Sequence, residues 1–348
     1  MPTLLAKIKQ RVKKLIVTGQ QNVAPWCAKS RFASRLYYFI FDSSFAYEQQ
    51  AILQAQVQYH KQKGIQNDTS ALLRRNTHRL EKGLIMKPRK PVFALEYITE
   101  TVDVYTRALK IKEFSSAELD WSFSILTEYF AAIEHSNPVI SSTFQKFSLL
   151  HKRENTQCIP YLYQERIEHE ISATQLHQLF QSRRSTRWFN DTDVPRELIE
   201  QAVEMSSQAP SACNRQPFKY FVIDKPELRQ QIVSLPGGTA GFSQNIQTMI
   251  AVVGDLAYYP LARDRHVIYI DAALASMQFM LALETLGLSS CPINWPELHV
   301  LDHRVSKLLG LPQYQRVVMF IAVGYGHEEG GIAYSHKKSA SELIHYSS

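Results

Sequence analysis

Cysteine is scarce in this chain: four in 348 residues, at Cys27, Cys158, Cys213 and Cys291, without a CxxC pair or a His/Cys ligand spacing. That scarcity argues against a disulfide framework and a zinc site and fits a reducing compartment. No uninterrupted run approaches the ~18 apolar residues of a membrane span. Internal repeats and low-complexity tracts are also missing. The glycine-bearing loop at 236–241 carries neither GxGxxG nor a P-loop pattern, so a separate dinucleotide domain is not indicated. Acidic side chains are absent from the first 41 positions, which hold eight Lys or Arg.

What is present describes an ordinary globular chain, 45% apolar and 20% charged, long enough for two domains. The net charge is +7, and the eight cations of residues 1–41 leave the other 307 residues at −1. The basic character therefore belongs to the N-terminal segment, and nucleic-acid binding by the whole chain is not supported. Within that segment Leu4, Leu5, Ile8, Val12, Leu15 and Ile16 recur at helical spacing among Lys7, Lys9, Arg11, Lys13 and Lys14. This is a basic amphipathic helix, lacking the apolar core and cleavage site of a secretory signal. Two readings stand: peripheral membrane contact through residues 1–20, or a helix packed on the protein with solvated lysines. A cytoplasmic location is expected, at the inner face of a membrane under the first reading. An aromatic-rich stretch follows at 35–41.

Residues 46–168 read as a helical region, with helices over 46–63, 68–82 and 92–111. Ser115-Ser116-Ala117-Glu118 is a capping box that opens a further helix to about His135, ended by Asn137-Pro138. In the second of these helices Arg75, His78, Arg79 and Lys82 share one face. That face is either an anionic-substrate patch or lid, or a solvated surface closed by Gly83 as a C-cap. Residues 158–169 form a connector, and a second capping box at Ser172–Gln175 opens a helix ending near Gln181. A boundary near 165–172 follows, dividing the chain into 1–45, 46–168 and 169–348.

In the last of these parts strands are expected over 218–223, 248–253, 290–293 and 317–324, the second and fourth as uninterrupted apolar runs of buried strands. Helices are expected over 194–203, 226–235, 266–286 and 300–309, the third as a buried central helix in which Asp271 is structural. A C-terminal helical turn follows His336-Lys337-Lys338.

The organising stretch is Arg183-Arg184-Ser185-Thr186-Arg187-Trp188-Phe189, three guanidiniums and two hydroxyls in five residues, a cluster suited to a dianionic phosphate. About twenty residues later comes Pro210-Ser211-Ala212-Cys213-Asn214-Arg215-Gln216-Pro217-Phe218, whose Asn and Gln can reach the edge of a heterocycle. With the helix that ends in Leu286-Gly287-Leu288-Ser289-Ser290-Cys291-Pro292-Ile293-Asn294, these segments resemble the FMN-dependent nitroreductase family over roughly residues 172–345.

The resemblance implies an α+β fold, a mixed sheet flanked by helices, here with a mostly helical N-terminal extension. It also implies an intertwined homodimer with FMN sites at the interface. Arg183, Arg184, Ser185 and Lys337 or Lys338 would neutralise the phosphate, and Arg187 would face the N1–C2=O edge that becomes negative on reduction. Pro292, Ile293 and Asn294 would approach N5, while Pro210, Ser211, Ala212, Asn214 and Gln216 would reach the flavin from the second subunit. The implied activity is ping-pong reduction of a quinone, nitro compound or activated alkene by NAD(P)H through flavin N5, with no catalytic side chain and no metal. The same residues would serve a flavin-dependent oxidase or dehydrogenase on a biosynthetic intermediate, an enzyme that consumes the flavin, or a non-catalytic flavin-binding scaffold. Cys213 reads as a loop filler rather than a thiol nucleophile, and Trp295 either caps the flavin or packs. Two departures from the family stand out. The second basic residue expected before the central strand has only Ser243, Gln244 and Asn245 as polar candidates, and the helical half has no counterpart in the minimal fold.

Overall fold

The computed structural model describes residue 19 and residues 22–154 and 157–347. The expected basic helix at 4–16 lies outside the described residues. The chain divides into two compact units, residues 1–53 and 54–348. In the first, α1 (Arg31–Ile40) is opened by Ser30, whose hydroxyl accepts from the Ala33 amide, and buries none of its side chains. Helix α2 (Ala46–Gln62) runs across the division.

The second unit begins with four helices around their own core: α3 (Ala71–Leu84), α4 (Ile98–Ala108), α5 (Ser116–Ala132) and α6 (Pro138–Ser148). Leu73, Leu80, Ile98, Tyr105, Ile125 and Ile140 fill that core. The sequence signals at its helix ends work differently from expectation in three places. Asn137-Pro138 starts a helix: Asn137 caps α6 through its side chain and Pro138 occupies the first position, where the missing N–H costs nothing. Residues 92–97 are not helical; Ala94 has φ +64°, and the Phe93 carbonyl accepts from the Tyr129 hydroxyl at 2.7 Å. Gly83 is not a C-cap. It lies inside α3, where an added Cβ would sit 2.2 Å from the Phe93 ring, so the glycine permits a close approach.

Four strands follow: β1 (Phe218–Ile223), β2 (Thr248–Asp255), β3 (Ser289–Asn294) and β4 (Gln315–Gly324). They form one sheet in the order β1-β2-β4-β3, with every strand pairing antiparallel. Among the described residues the one parallel pairing is an isolated bridge between Ser185 and Ser290, outside the four-stranded sheet. Helices α7 (Ala173–Ser182), α8 (Arg196–Ser206), α9 (Pro226–Ile232), α10 (Val267–Thr285) and α11 (His299–Leu309) flank it, and a short α12 (Ala340–Leu343) closes the chain. Side-chain alternation decides which helices lie on which face. Met249, Ala251, Val253, Phe320 and Ala322 meet Ile232 of α9 and Val305 of α11. Ile250, Val252, Ile321 and Val323 meet Ile199 of α8 and Phe279 and Leu283 of α10. Both faces being covered explains the uninterrupted apolar runs of β2 and β4. The segment 262–285, which contains α10, is long and apolar enough to cross a membrane. Its packing under the sheet and its buried Asp271 mark it as a core helix.

Replacing Gly83 with Ala forces a methyl against the Phe93 ring, and a loss of about 1–3 kcal/mol is expected from such overpacking. Urea denaturation measures it; an unchanged midpoint would show that Phe93 moves aside freely.

Candidate functional site

The arginine segment leaves α7 at Arg183 and runs along the edge of the sheet. The Thr186 amide donates to the Ser290 carbonyl at 3.1 Å, the His327 amide to the Trp188 carbonyl at 2.9 Å, and the Asn190 amide to the Tyr325 carbonyl at 2.9 Å. Asn245, one of the three polar candidates, accepts from the Phe189 amide at 3.1 Å and so supports this segment from behind. Arg183, Ser185 and Arg187 gather around the Cys291 thiol. Burial pushes that thiol up, and the Arg187 charge, the Ser185 hydroxyl and the Arg183 charge hold it back. Among the described residues Arg183 Nε is buried without a partner; so is Ser290 Oγ, which by strand alternation points to the sheet face opposite the Cys291 thiol. Buried polar atoms are ordinarily satisfied, so the unpartnered Arg183 Nε marks a position open to an external acceptor. Arg184 is half-buried on the same turn, whereas Lys337 and Lys338 are exposed on the extended stretch before α12.

The second segment is a loop fixed from two sides. On one side Asp271 of α10 accepts from the Ser211 hydroxyl at 2.7 Å and the Ala212 amide at 3.0 Å. The Ser211 hydroxyl in turn accepts from the Gln216 amide at 2.8 Å. On the other side Arg74 of α3 donates from Nε to the Asn214 carbonyl at 2.7 Å and from a terminal nitrogen to Gln216 Oε1 at 3.2 Å. Gln216 also donates to the Ser207 carbonyl at 2.9 Å, so both ends of its carboxamide are engaged within the chain. Between these anchors Cys213, Asn214 and Gln216 have φ of 54°, 50° and 49°. Such left-handed non-glycine residues cost on the order of 1 kcal/mol or more each and persist only where surroundings over-determine them. Pro210 and Ala212 lie exposed on the loop's outer side.

Arg74 was not on the arginine face that the sequence singled out. It pairs at 3.2 Å with Glu118, only 3% exposed, which also accepts from the Ser70 amide at 2.9 Å and the Thr69 hydroxyl at 2.5 Å. Half of the expected capping box is therefore realised: the Ser115 hydroxyl accepts from the Glu118 amide, but the Glu118 carboxylate turns away to Arg74. A Glu at the third helical position read as a cap, and only the tertiary packing shows where its side chain goes.

The turn after β3 is held by a buried ionic group. Trp295, 5% exposed, donates to Asp302 at 2.7 Å and stacks edge-on against Phe320, which resolves its two readings in favour of packing. Arg316 bridges Asp302 and Glu297, both at 3.3 Å. Pro292 is half-buried, Ile293 is buried in the core, and Asn294 is exposed at the strand's end. Asp271 lies near the start of α10, while β3 follows its end. The fourteen residues from Asp271 to Thr285 span roughly 20 Å at 1.5 Å per residue. One chain therefore keeps the arginine segment and the Ser211 loop apart.

Burial raises the Asp271 carboxyl pKa above its ordinary value, against the opposing Ser211 and Ala212 hydrogen bonds and the Arg215 charge. The folded protein then holds that proton more tightly than the unfolded chain, so ionising Asp271 costs stability as pH rises through the raised value. Asp271→Asn removes this cost. The stability of the variant relative to the parent should climb as pH rises from 3.8 through the raised value and then level off, as read by urea denaturation across pH. A difference independent of pH would overturn the assignment.

Residues 180–239 and 236–325 match the Nitroreductase family. An NADH dehydrogenase of Thermus thermophilus is 25% identical over 178 residues, covering 42% of this chain and 85% of that protein. Human iodotyrosine deiodinase 1 is 20% identical over 225 residues, covering 55% and 75%. Among solved structures, an FMN-dependent nitroreductase of Clostridium difficile superimposes with a TM-score of 0.42 at 23% identity, covering 49% of this chain and 98% of that one. Between residues 180 and 325 the chain is thus similar to the Nitroreductase family.

Proposed function

We propose that residues 169–348 bind FMN and that the protein is an NAD(P)H-dependent oxidoreductase reducing a small organic acceptor, working as a homodimer. The observation that carries the reading is the unpartnered buried Arg183 Nε, with the Arg183 and Arg187 guanidiniums and the Ser185 hydroxyl all acting on the Cys291 thiol. A dianionic phosphate fits that donor set in charge and in hydrogen-bonding sense. Arg183, Arg184 and Ser185 would hold it, with Lys337 or Lys338 brought in on the exposed C-terminal stretch. Arg187 would place a fixed cation at the pyrimidine edge of the ring, and Pro292, Ile293 and Asn294 would line the approach to its centre. Bound FMN would supply the hydride chemistry of such a reductase.

The separation of the two segments supports a dimer. Pro210, Ser211, Ala212, Asn214 and Gln216 would then form the wall of the site belonging to a second copy. Helix α10 exposes Ile270, Leu274 and Met277 at helical spacing on the side opposite the sheet, at 56%, 45% and 38% of their surface, an apolar stripe suited to burial between copies. Quinones, nitro compounds and activated alkenes are the first acceptors to test. Halogenated phenols join them because the relatives include iodotyrosine deiodinases.

The purified protein should be yellow, a dimer by light scattering, and carry about one flavin per chain, as expected where the cofactor does the chemistry. NADH or NADPH added without oxygen should bleach the flavin. Arg183→Gln removes a charge-assisted contact and should weaken FMN binding roughly tenfold or more, read by fluorescence titration. A colourless protein that takes up no FMN on reconstitution would sink the proposal.

A further inference from the structure

We propose that α3 and the Ser211–Gln216 loop form an oxyanion site, built from Arg75 and Arg215 and flanked by Arg79, that takes the carboxylate or phosphate of an acidic acceptor. This rests on the reading of that loop as a wall of the flavin site and adds the substrate class. Arg74 ties α3 to the loop at the Asn214 carbonyl, which brings the next residue of each segment, Arg75 and Arg215, to the same junction. Arg215 is 8% exposed, its guanidinium lies 4.6 Å from the Tyr259 ring centre, and among the described residues its Nε has no hydrogen-bond partner. Arg79, one turn beyond Arg75, lies 3.8 Å from the Tyr97 ring centre.

The tyrosines report how these cations are grouped. Burial pushes the Tyr59 phenol up, and Arg75 and Arg215 both pull it back. The same holds at Tyr97, pushed up by burial and pulled back by Arg79 and, more weakly, by Arg75. Among the described residues none of Arg75, Arg79 and Arg215 has a carboxylate within ion-pair distance. The acids nearby are Glu100, which accepts from Asn76, Glu96, and Asp271, which is held by Ser211 and Ala212. A solvated helix face does not describe Arg215, which is buried. Aromatic faces offset part of the cost of a buried guanidinium, but an unpaired one still calls for an anion. His78, on the same face of α3, is already engaged with Glu81 at 3.1 Å, which leaves the arginines as the anion-binding groups.

The test uses the full-length protein and two probes of equal size, 4-nitrobenzoate and the uncharged 4-nitrobenzamide, titrated calorimetrically with and without added FMN. The carboxylate should bind roughly tenfold tighter or more, the ratio expected of a charge-assisted pair. Arg75→Gln, and separately Arg79→Gln, should erode that preference while leaving the amide's affinity unchanged. Equal affinity for both probes, or a preference that survives in Arg75→Gln, overturns the inference. Should the preference and its loss be seen in protein that takes up no FMN, the oxyanion site stands and the flavin reading falls. FMN uptake without the preference keeps the flavin reading and removes the oxyanion site.

Discussion

The rest of the candidate site depends on one constraint, the clamp on the loop between α8 and β1. Three of its residues have left-handed backbones, a conformation that L side chains disfavour, and one buried and one partly buried charge hold it there. Asp271 supplies acceptors from the core helix and Arg74 supplies donors from the helical region. Arg74 is in turn paired with the buried Glu118, while the Ser211 and Ala212 donors are what satisfy Asp271. The loop is thus shaped by two parts of the chain that are remote in sequence and share no local pattern.

The sheet and α10 provide the frame for that clamp. With both faces of β2 and β4 covered by helices, the strands are apolar throughout, and the register between them leaves little freedom to slip. Helix α10 is apolar nearly all round because one side meets the sheet and the other presents Ile270, Leu274 and Met277. A lone carboxylate in such a helix is costly unless several donors converge on it, and Ser211 and Ala212 do so.

Much of this was legible in the sequence. The strands at 248–253 and 317–324 announced themselves because burial on both faces writes one continuous signal. The structural role of Asp271 followed from its isolation in an apolar helix. The arginine segment drew attention because three guanidiniums and two hydroxyls fall within five residues, the donor density that the proposed phosphate site needs. What sequence could not show is pairing at long range. Arg74 and Glu118 are separated by 44 residues; Arg74 carried no signal of its own, and Glu118 read as half of a capping box. Gly83 had the position of a helix stop, yet its reason is the Phe93 ring ten residues further on. Asn137-Pro138 carried a signal shared by stops and starts, and the four-helix core decided between them.

The Arg74 bridge also bears on how far the chain can be trimmed. Cutting away everything before the family-matched region would remove the guanidinium that holds the Asn214 carbonyl, while the left-handed residues beside it would remain. Relieved of that counterweight, the loop would drift toward ordinary backbone angles and carry Pro210 and Ala212 with it. The helical half is therefore a working member of the fold, and a shortened version made for convenience would not be the same protein at this loop.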